Sequence, residues 1–273
     1  MVRRVGTIVS FHAHPDDESI GTAGTLARAA EAGHRVVVVF ATRGELGEPV
    51  PGVLADGEQL SLRRSAECYV AAKALGVHRV EFLGFTDSGM MGDPTNDAPY
   101  CFWRASVEHA ARLLAVILDE EEPDLLTVYD DNGGYGHPDH IQVHRVGMRA
   151  AELSAVPVVA QQTINRDWLA RGRRQLVADG RIDGAATMPE PDAADWGKPE
   201  SQITHKVEVV DVADRKRAAM RAHASQMGPD HPLLAMPEPM FLVGLGVEFY
   251  IVSPPPSPAS APDVFHELFT PLR

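Results

Sequence analysis

The sequence has few cysteines, a deficit of basic residues and no long apolar run. Two cysteines among 273 residues leave little scope for disulfides and fit a reducing compartment. Lysine and arginine number 25 against 38 aspartates and glutamates, a net charge of −13, so no basic surface for nucleic acid is expected. No stretch approaches the roughly 18 apolar residues that a membrane helix requires. We therefore predict a cytoplasmic protein that binds neither nucleic acid nor membranes.

Short apolar segments alternate with helical segments through the first 160 residues. The segments that predict strands are 5–11, 35–41, 79–85, 124–129 and 156–161. Buried strands that alternate with helices are typical of a parallel sheet covered on both faces. We predict an α/β fold, a doubly wound, mainly parallel, Rossmann-like sheet, in one domain over 1–252. This domain divides into a core (1–160) and a less regular substrate-side extension (161–252), and a proline-rich C-terminal tail follows at 253–273.

Side chains suited to metal binding and acid–base chemistry follow the predicted strands. HPDDE at 14–18 follows the first strand, Asp87 follows the third, and GHPDH at 136–140 follows the fourth. Ligands in such sheets bind beyond the carboxyl ends of the strands, where these loops converge. Residues distant in sequence are therefore expected to form a single site.

The two histidine-containing segments contain the parts of a hydrolytic metal centre. Two histidines and one carboxylate leave a fourth position open on tetrahedral zinc, and His14, Asp17 and His140 can supply these ligands. Zinc lowers the pKa of bound water to about 7, and Asp16 is the spare carboxylate that accepts the water proton. His137 is the spare group that stabilises an oxyanion or protonates the leaving amine. We expect one zinc ion per chain, and ferrous iron fits the same ligands.

Other residues near these motifs have structural interpretations. Asp139 is expected to hold the second ring nitrogen of His137. Glu18 is as consistent with a loop-supporting role as with a catalytic one. His144 is interpreted as a core or supporting residue rather than a ligand, and His12 as a support for His14. A capping role for Asp16 alone is the competing interpretation, which the presence of the second motif disfavours.

The paired motifs HAHPDDE and GGYGHPDH are similar to those of the PIG-L / LmbE-like zinc-dependent N-deacetylase family. The resemblance extends through TRGELGE, LGFTDSGM and RAHASQ. It implies that His14, Asp17 and His140 bind zinc, that Asp16 is the general base and that His137 assists the tetrahedral intermediate. It also implies that Tyr135 is a mobile gate and that three residues line a sugar pocket: Glu48, Arg64 and Asp87. His223, in RAHASQ, is a further candidate for the site.

Members of this family include deacetylases of N-acetylglucosaminyl-inositol in mycothiol biosynthesis and mycothiol S-conjugate amidases. The resemblance therefore implies a zinc-dependent hydrolase that cleaves the N-acyl (acetyl) amide of a glucosamine-containing small molecule. The alternative is an amidase-like enzyme for a bulkier acyl group. The segments at 90–105 and 160–205 match neither enzyme, so the substrate stays open.

Three further alternatives stay open at this point. The same residues suit an esterase or phosphoesterase, or a non-catalytic binding protein. A homo-oligomer is also open, since the C-terminal segment VFHELF is apolar enough to pack on a neighbour.

Overall fold

A single mixed sheet organises the molecule. The computed structural model describes residues 5–181, 196–254, 256–257 and 261–272. The strands, in chain order, are β1 Thr7–His12, β2 Arg35–Phe40, β3 Arg79–Phe82, β4 Leu125–Tyr129, β5 Val158–Thr163, β6 His205–Glu208, β7 Val247–Val252 and β8 Thr270–Pro271. The helices are α1 Asp17–Gly21, α2 Ala23–Glu31, α3 Leu60–Leu75, α4 Val107–Glu121, α5 Pro138–Leu153, α6 Arg166–Ala178, α7 Ala213–Ala222, α8 Pro232–Ala235, α9 Glu238–Leu245 and α10 Asp263–Leu268.

The sheet runs β3-β2-β1-β4-β5-β7-β6-β8. The five strands from β3 to β5 are parallel, whereas β7, β6 and β8 join by antiparallel pairing. Strand order reverses at β1, which lies between β2 and β4, and this is the switch point where such sheets bind ligands. The predicted α/β, mainly parallel fold is confirmed.

Successive residues of the central strands face opposite layers of helices. Ile8 belongs to a core formed with α2, α3, α7 and α10. Its neighbour Val9 belongs to a second core formed with α4 and α5. Both faces are therefore apolar and covered, which explains the continuous valine and isoleucine runs of the sequence.

Residues beyond 160 are more regular than expected. The predicted extension, as far as it is described, contains the helix α6 and adds the antiparallel strands β6 and β7 to the sheet. Positions 182–195 lie outside the described residues. Within the described ranges, no helix combines the length and the apolar character needed to span a membrane.

The expected tail at 253–273 differs from what the structure contains at 261–272. Val264, Phe265, Leu268 and Phe269 are buried, and β8 pairs with β6. The physical reason is the spacing of these residues, which forms one apolar stripe along α10 and the residue after it, packed on the sheet beside α2. The segment VFHELF thus packs on its own chain.

Truncation of Phe265 should test this packing. We expect Phe265→Ala to lower the free energy of unfolding by about 3–5 kcal/mol, because a buried aromatic ring is lost from the core. Urea denaturation measures the change, with Asp263→Asn on the exposed side of the same helix as the matched control. An effect below 1 kcal/mol would mean that this segment is detached from the domain.

Candidate metal centre and active site

The loops after β1, β3 and β4 meet at one edge of the sheet. His14 follows β1 by two residues, and α5 begins with Pro138, whose missing N–H is tolerated in a first turn. His137 caps this helix, because its Nδ1 accepts the backbone N–H of Asp139 at 3.1 Å. The backbone therefore directs the side chains of both motifs toward a common space.

Three buried imidazoles form the centre of this space. His14, His137 and His140 each offer a ring nitrogen, and these nitrogens lie within 4.8 Å of one another. The carboxylate of Asp17 lies between two of the rings, 3.5 Å from Nδ1 of His14 and 3.3 Å from Nε2 of His140. The arrangement is one that a divalent ion with nitrogen and oxygen ligands requires.

The outer ring nitrogens of two of these histidines are occupied by hydrogen bonds. Nε2 of His14 lies 3.1 Å from Oδ2 of Asp139, and Nδ1 of His140 lies 3.2 Å from the carbonyl oxygen of Gly133. When each outer nitrogen donates its proton, Nδ1 of His14 and Nε2 of His140 are left as lone pairs beside Asp17. Carboxylate or carbonyl partners of this kind orient metal-binding histidines in proteins.

Asp139 differs from its expected role. Its carboxylate contacts His14 and accepts the backbone N–H of Ser88 at 3.0 Å and the Ser88 hydroxyl. Only its backbone N–H reaches His137. The expectation paired the right residue with the wrong imidazole, because the helix start directs the Asp139 side chain toward the β1 loop.

The local electrostatics favour a positive ion. Burial alone would lower the pKa of His14, but hydrogen bonds to Asp139, Asp17 and Asp87 raise it well above its usual value. Burial would raise the pKa of Asp17, but the charge of His140 and hydrogen bonds from both histidines hold it well below its usual range. A site that stabilises protonated imidazole beside ionised carboxylates also suits a metal cation.

Asp16 lies at the edge of the centre in a strained backbone conformation. Its φ is 109°, a value rare for residues other than glycine. Its Oδ2 accepts a hydrogen bond from Nη2 of Arg64 at 3.0 Å, and its backbone N–H donates to Oε2 of Glu18 at 3.0 Å. Burial raises the pKa of Asp16 to about 6, although the charge of Arg64 opposes the shift. A carboxylate of this pKa can exchange a proton near neutral pH.

His137 is neutral at physiological pH. Burial, followed by the charges of His14 and His140, lowers its pKa to about 4. Because Nδ1 accepts the N–H of Asp139, the remaining proton is placed on Nε2. His137 can thus donate one hydrogen bond without carrying a charge.

The residues expected to line a sugar pocket have different environments. Asp87 is buried, with Oδ1 3.5 Å from Nε2 of His14. Arg64 is also buried, and its guanidinium contacts Asp16, the carbonyl oxygens of Gly44 and Pro15, and Gln226.

Two acidic residues on the loop after β2 also differ in position. Glu48 is exposed, and no hydrogen bond or ion pair among the described residues joins it to the cluster. Glu45 instead accepts the backbone N–H of Asp87 at 3.1 Å. The spacing of TRGELGE could not distinguish these two glutamates, since their positions depend on how the loop turns.

Tyr135 lies in a glycine-rich loop above the centre. Its hydroxyl is 3.4 Å from Nε2 of His140, and its side chain remains 44% exposed. Gly134 and Gly136 on either side have φ values of 78° and 88°, a region open to glycine at no steric cost. The loop therefore depends on glycine at both positions.

Two buried residues below the centre were not singled out as site residues. The Tyr129 ring stacks on His140 at a centroid distance of 4.4 Å, and its hydroxyl lies 2.9 Å from Nδ1 of His12. His12 thus supports Tyr129 rather than His14. His144 contacts the Tyr129 carbonyl oxygen at 3.0 Å, in agreement with its interpretation as a supporting residue. The sequence signal that could have identified Tyr129 is its position at the end of an apolar strand, directly before the second motif.

RAHASQ joins the site from the end of α7. Nε2 of His223 donates to Oε1 of Glu18 at 2.6 Å, and both side chains are buried. Nδ1 of His223 has no partner among the described residues. Through Glu18, His223 reaches the backbone of Asp16, so it supports the site without entering the space between the imidazoles.

The Glu18–His223 pair should make stability depend on pH. Burial lowers the pKa of His223, but the charge and hydrogen bond of Glu18 outweigh it and raise the pKa above 6.5. Its stabilisation is therefore complete below 6.5 and is lost as pH rises through the raised value. Burial raises the pKa of Glu18, but His223 outweighs it and lowers the pKa below 4.5, so this contribution is lost only as pH falls below 4.5.

We expect His223→Gln to lower the free energy of unfolding by about 3 kcal/mol at pH 5.5, because a buried charged pair loses one partner. The difference from wild type should shrink toward pH 9. Urea denaturation of metal-free protein at pH 5.5, 7 and 9 measures it, with His109→Gln at an exposed position as the control. A difference that is constant or grows with pH would contradict the assignment.

Comparison with known proteins agrees with the geometry. The family described as PIG-L, GlcNAc-PI de-N-acetylase, matches residues 9–151. The chain is 40% identical over 259 residues to the 1D-myo-inositol 2-acetamido-2-deoxy-alpha-D-glucopyranoside deacetylase of Acidothermus cellulolyticus, covering 91% of this chain and 89% of that protein. It is 41% identical to the protein of the same description from Thermobifida fusca, covering 94% and 96% of the two chains.

The fold has a solved counterpart in N,N'-diacetylchitobiose deacetylase from Pyrococcus horikoshii. The TM-score is 0.62 at 18% identity, over 96% of this chain and 85% of that one. The predicted family is thus confirmed, and the chain belongs to the PIG-L family of de-N-acetylases, metal-dependent hydrolases of amide bonds.

Proposed function

We propose that this protein is an N-deacetylase that removes the acetyl group from the glucosamine of a glucosaminyl-inositol. The observation that carries the proposal is the buried cluster of three imidazoles and Asp17, adjacent to the raised-pKa carboxylate of Asp16. The names of relatives about 40% identical over most of the chain support the substrate. The runner-up is an amidase for a bulkier acyl group.

The metal ligands in this proposal are His14, Asp17 and His140. Their inward nitrogens and carboxylate oxygens suit zinc, and ferrous iron is acceptable to the same donors. When bound, the ion would polarise the acyl oxygen and lower the pKa of a water molecule to about 7. Asp139 holds the ring of His14 from outside and so acts as a positioning residue.

Asp16 acts as the general base. It accepts a proton from the attacking water, and its pKa of about 6 lets it hold that proton briefly near neutral pH. It then returns the proton to the departing glucosamine nitrogen. Arg64 fixes the carboxylate through the 3.0 Å hydrogen bond, and the strained backbone sets the direction of the side chain.

His137 stabilises the oxyanion that develops on the acyl oxygen. Its neutral ring donates the Nε2 proton toward the developing negative charge, and the N–H of Asp139 keeps the ring in that tautomer. A donor already in position needs no reorganisation during the reaction. Full proton transfer from His137 is disfavoured, because a pKa of about 4 leaves the ring without its second proton near neutral pH.

The roles of the substrate-binding residues are proposed, and each role rests on a different observation. Asp87 is buried beside His14 and suits a hydroxyl of the sugar. Tyr135 suits a gate, being half exposed on a glycine-flanked loop. Arg64 is proposed to act through Asp16, and a sugar contact of Glu48 stays a prediction. Cytoplasmic location and homo-oligomer formation also stay predictions.

Replacement of Asp16 tests the reaction itself. With N-acetylglucosaminyl-inositol as substrate, Asp16→Asn should reduce kcat by about 10²–10⁴-fold, the usual contribution of a general base. Metal content should remain near one per chain. Acetate release and elemental analysis of the same preparation measure both, and Asp131→Asn, an exposed aspartate after β4, is the matched control. Wild-type turnover in Asp16→Asn would refute the role of this residue, and no acetate release by wild type would refute the proposed function.

Single histidine replacements separate the ligands from the oxyanion donor. His14→Ala and His140→Ala should lose bound metal, because each removes one of three ligands, whereas His137→Ala should retain it and lose activity. Elemental analysis after dialysis against a weak chelator gives the metal content. Exposed His109→Ala is the control. Loss of metal from His137→Ala would instead place His137 among the ligands.

A further inference from the structure

A cavity of about 380 Å³ adjoins the cluster on the side of α6, α8 and α9. Asp17, His140 and Tyr135 line the end that faces the proposed metal ligands. Small-molecule pockets in proteins generally span roughly 300–1,000 Å³. A water molecule accounts for only about 30 Å³ of liquid, and a methyl group is of similar size. The methyl group of an acetyl would therefore leave most of this space empty.

The cavity wall is mainly apolar. Six of its side chains come from separate parts of the fold: Ile20, Ile164, Leu169, Leu233, Leu245 and Phe249. Away from Asp17, two further charged residues line it, but Nζ of Lys216 lies 2.7 Å from Oε1 of Glu248, and both are buried. Their charges are therefore compensated within the wall, and the cavity favours an uncharged apolar occupant.

Several polar groups of the site lie outside this cavity. Asp16, Arg64, Asp87 and His137 belong to the cluster but do not line the apolar space. An N-acyl amino sugar divides in the same way, since its sugar is polar and its acyl substituent is apolar. With the amide carbon at the cluster, the sugar matches the polar side and the acyl substituent matches the cavity.

We propose that this cavity binds the acyl group of the substrate, and that the enzyme hydrolyses amides of linear aliphatic acyl groups of about six to eight carbons at least as fast as acetamides. The proposal rests on the proposed function and specifies its acyl group. Tyr135 lies at the boundary, because it lines the cavity while its hydroxyl is 3.4 Å from Nε2 of His140. The products are the free amine and the fatty acid, formed by addition of one water.

The first test compares acyl lengths on one sugar. Wild-type protein is assayed with N-acetyl and N-octanoyl glucosaminyl-inositol, and amine release is measured. We expect kcat/KM for the octanoyl compound to equal or exceed that for the acetyl compound. Hydrolysis of the acetyl compound alone, with at least tenfold discrimination against octanoyl, overturns this inference and leaves the proposed deacetylase function intact.

A second measurement does not depend on turnover. Octanoate and acetate are the corresponding acid products, and their Kd values for metal-loaded wild-type protein are obtained by calorimetry. Each buried methylene strengthens binding severalfold, so octanoate should bind at least tenfold more tightly than acetate. Equal affinities overturn the inference even when no amide is hydrolysed. The absence of amide hydrolysis would separately reject the proposed function.

A substitution that fills the cavity gives a variant that can be compared with wild type. Gly244 lines the cavity near the end of α9, and a Cβ added there meets no atom within 4 Å. Gly244→Phe should reduce octanoate affinity and octanoyl hydrolysis at least tenfold, while acetyl hydrolysis changes less than threefold. Ala235→Phe, at an exposed position of α8 outside the cavity lining, is the control. Equal losses for both acyl groups in Gly244→Phe, with unchanged metal content, contradict the proposal.

Discussion

Parallel pairing of β1 with β4 is the constraint on which the site depends. The register sets Ile8 opposite Leu125 and Ser10 opposite Thr127, so both strands end at the same edge of the sheet. His14 and Asp139, 125 residues apart in sequence, then meet at 3.1 Å. The hydroxyls of Ser10 and Thr127 lie 2.5 Å apart inside the sheet and join the strands just below the cluster. A change in this register would turn inward side chains to the opposite face.

The polar groups beneath the cluster are costly to bury and are therefore paired. His12 contacts Ser10, Thr22 and Tyr129, and burial lowers its pKa to about 4, so it is neutral. Tyr129 in turn stacks on His140. A buried polar network of this kind is stable only when its members are satisfied, and through Tyr129 it supports one face of the His140 ring.

The sequence predicted the fold and the members of the cluster because both depend on local signals. Apolar runs bounded by glycine and proline identify the strands, and each motif follows a strand end. Contacts between segments were harder to predict. The partner of the Asp139 carboxylate depends on where α5 begins relative to β1, and the packing of Phe265 depends on a sheet edge formed by other strands. The burial of Arg64 likewise depends on the path of the loop at Gly44, which periodicity does not encode.

Opposing forces act on the Asp16 carboxylate, and their balance sets its pKa. The guanidinium of Arg64 stabilises the ionised carboxylate and taken alone would make it a weak base, whereas burial disfavours the charge and prevails, giving a pKa of about 6. The position is strained, and the hydrogen bond from the Asp16 N–H to Glu18 helps to hold it, with His223 holding Glu18 in turn. Admission of water beside Asp16 would lower its pKa and weaken it as a base even with every contact intact. The segment at the end of α7 therefore helps to fix the backbone of Asp16 through Glu18, although His223 itself lies outside the cluster.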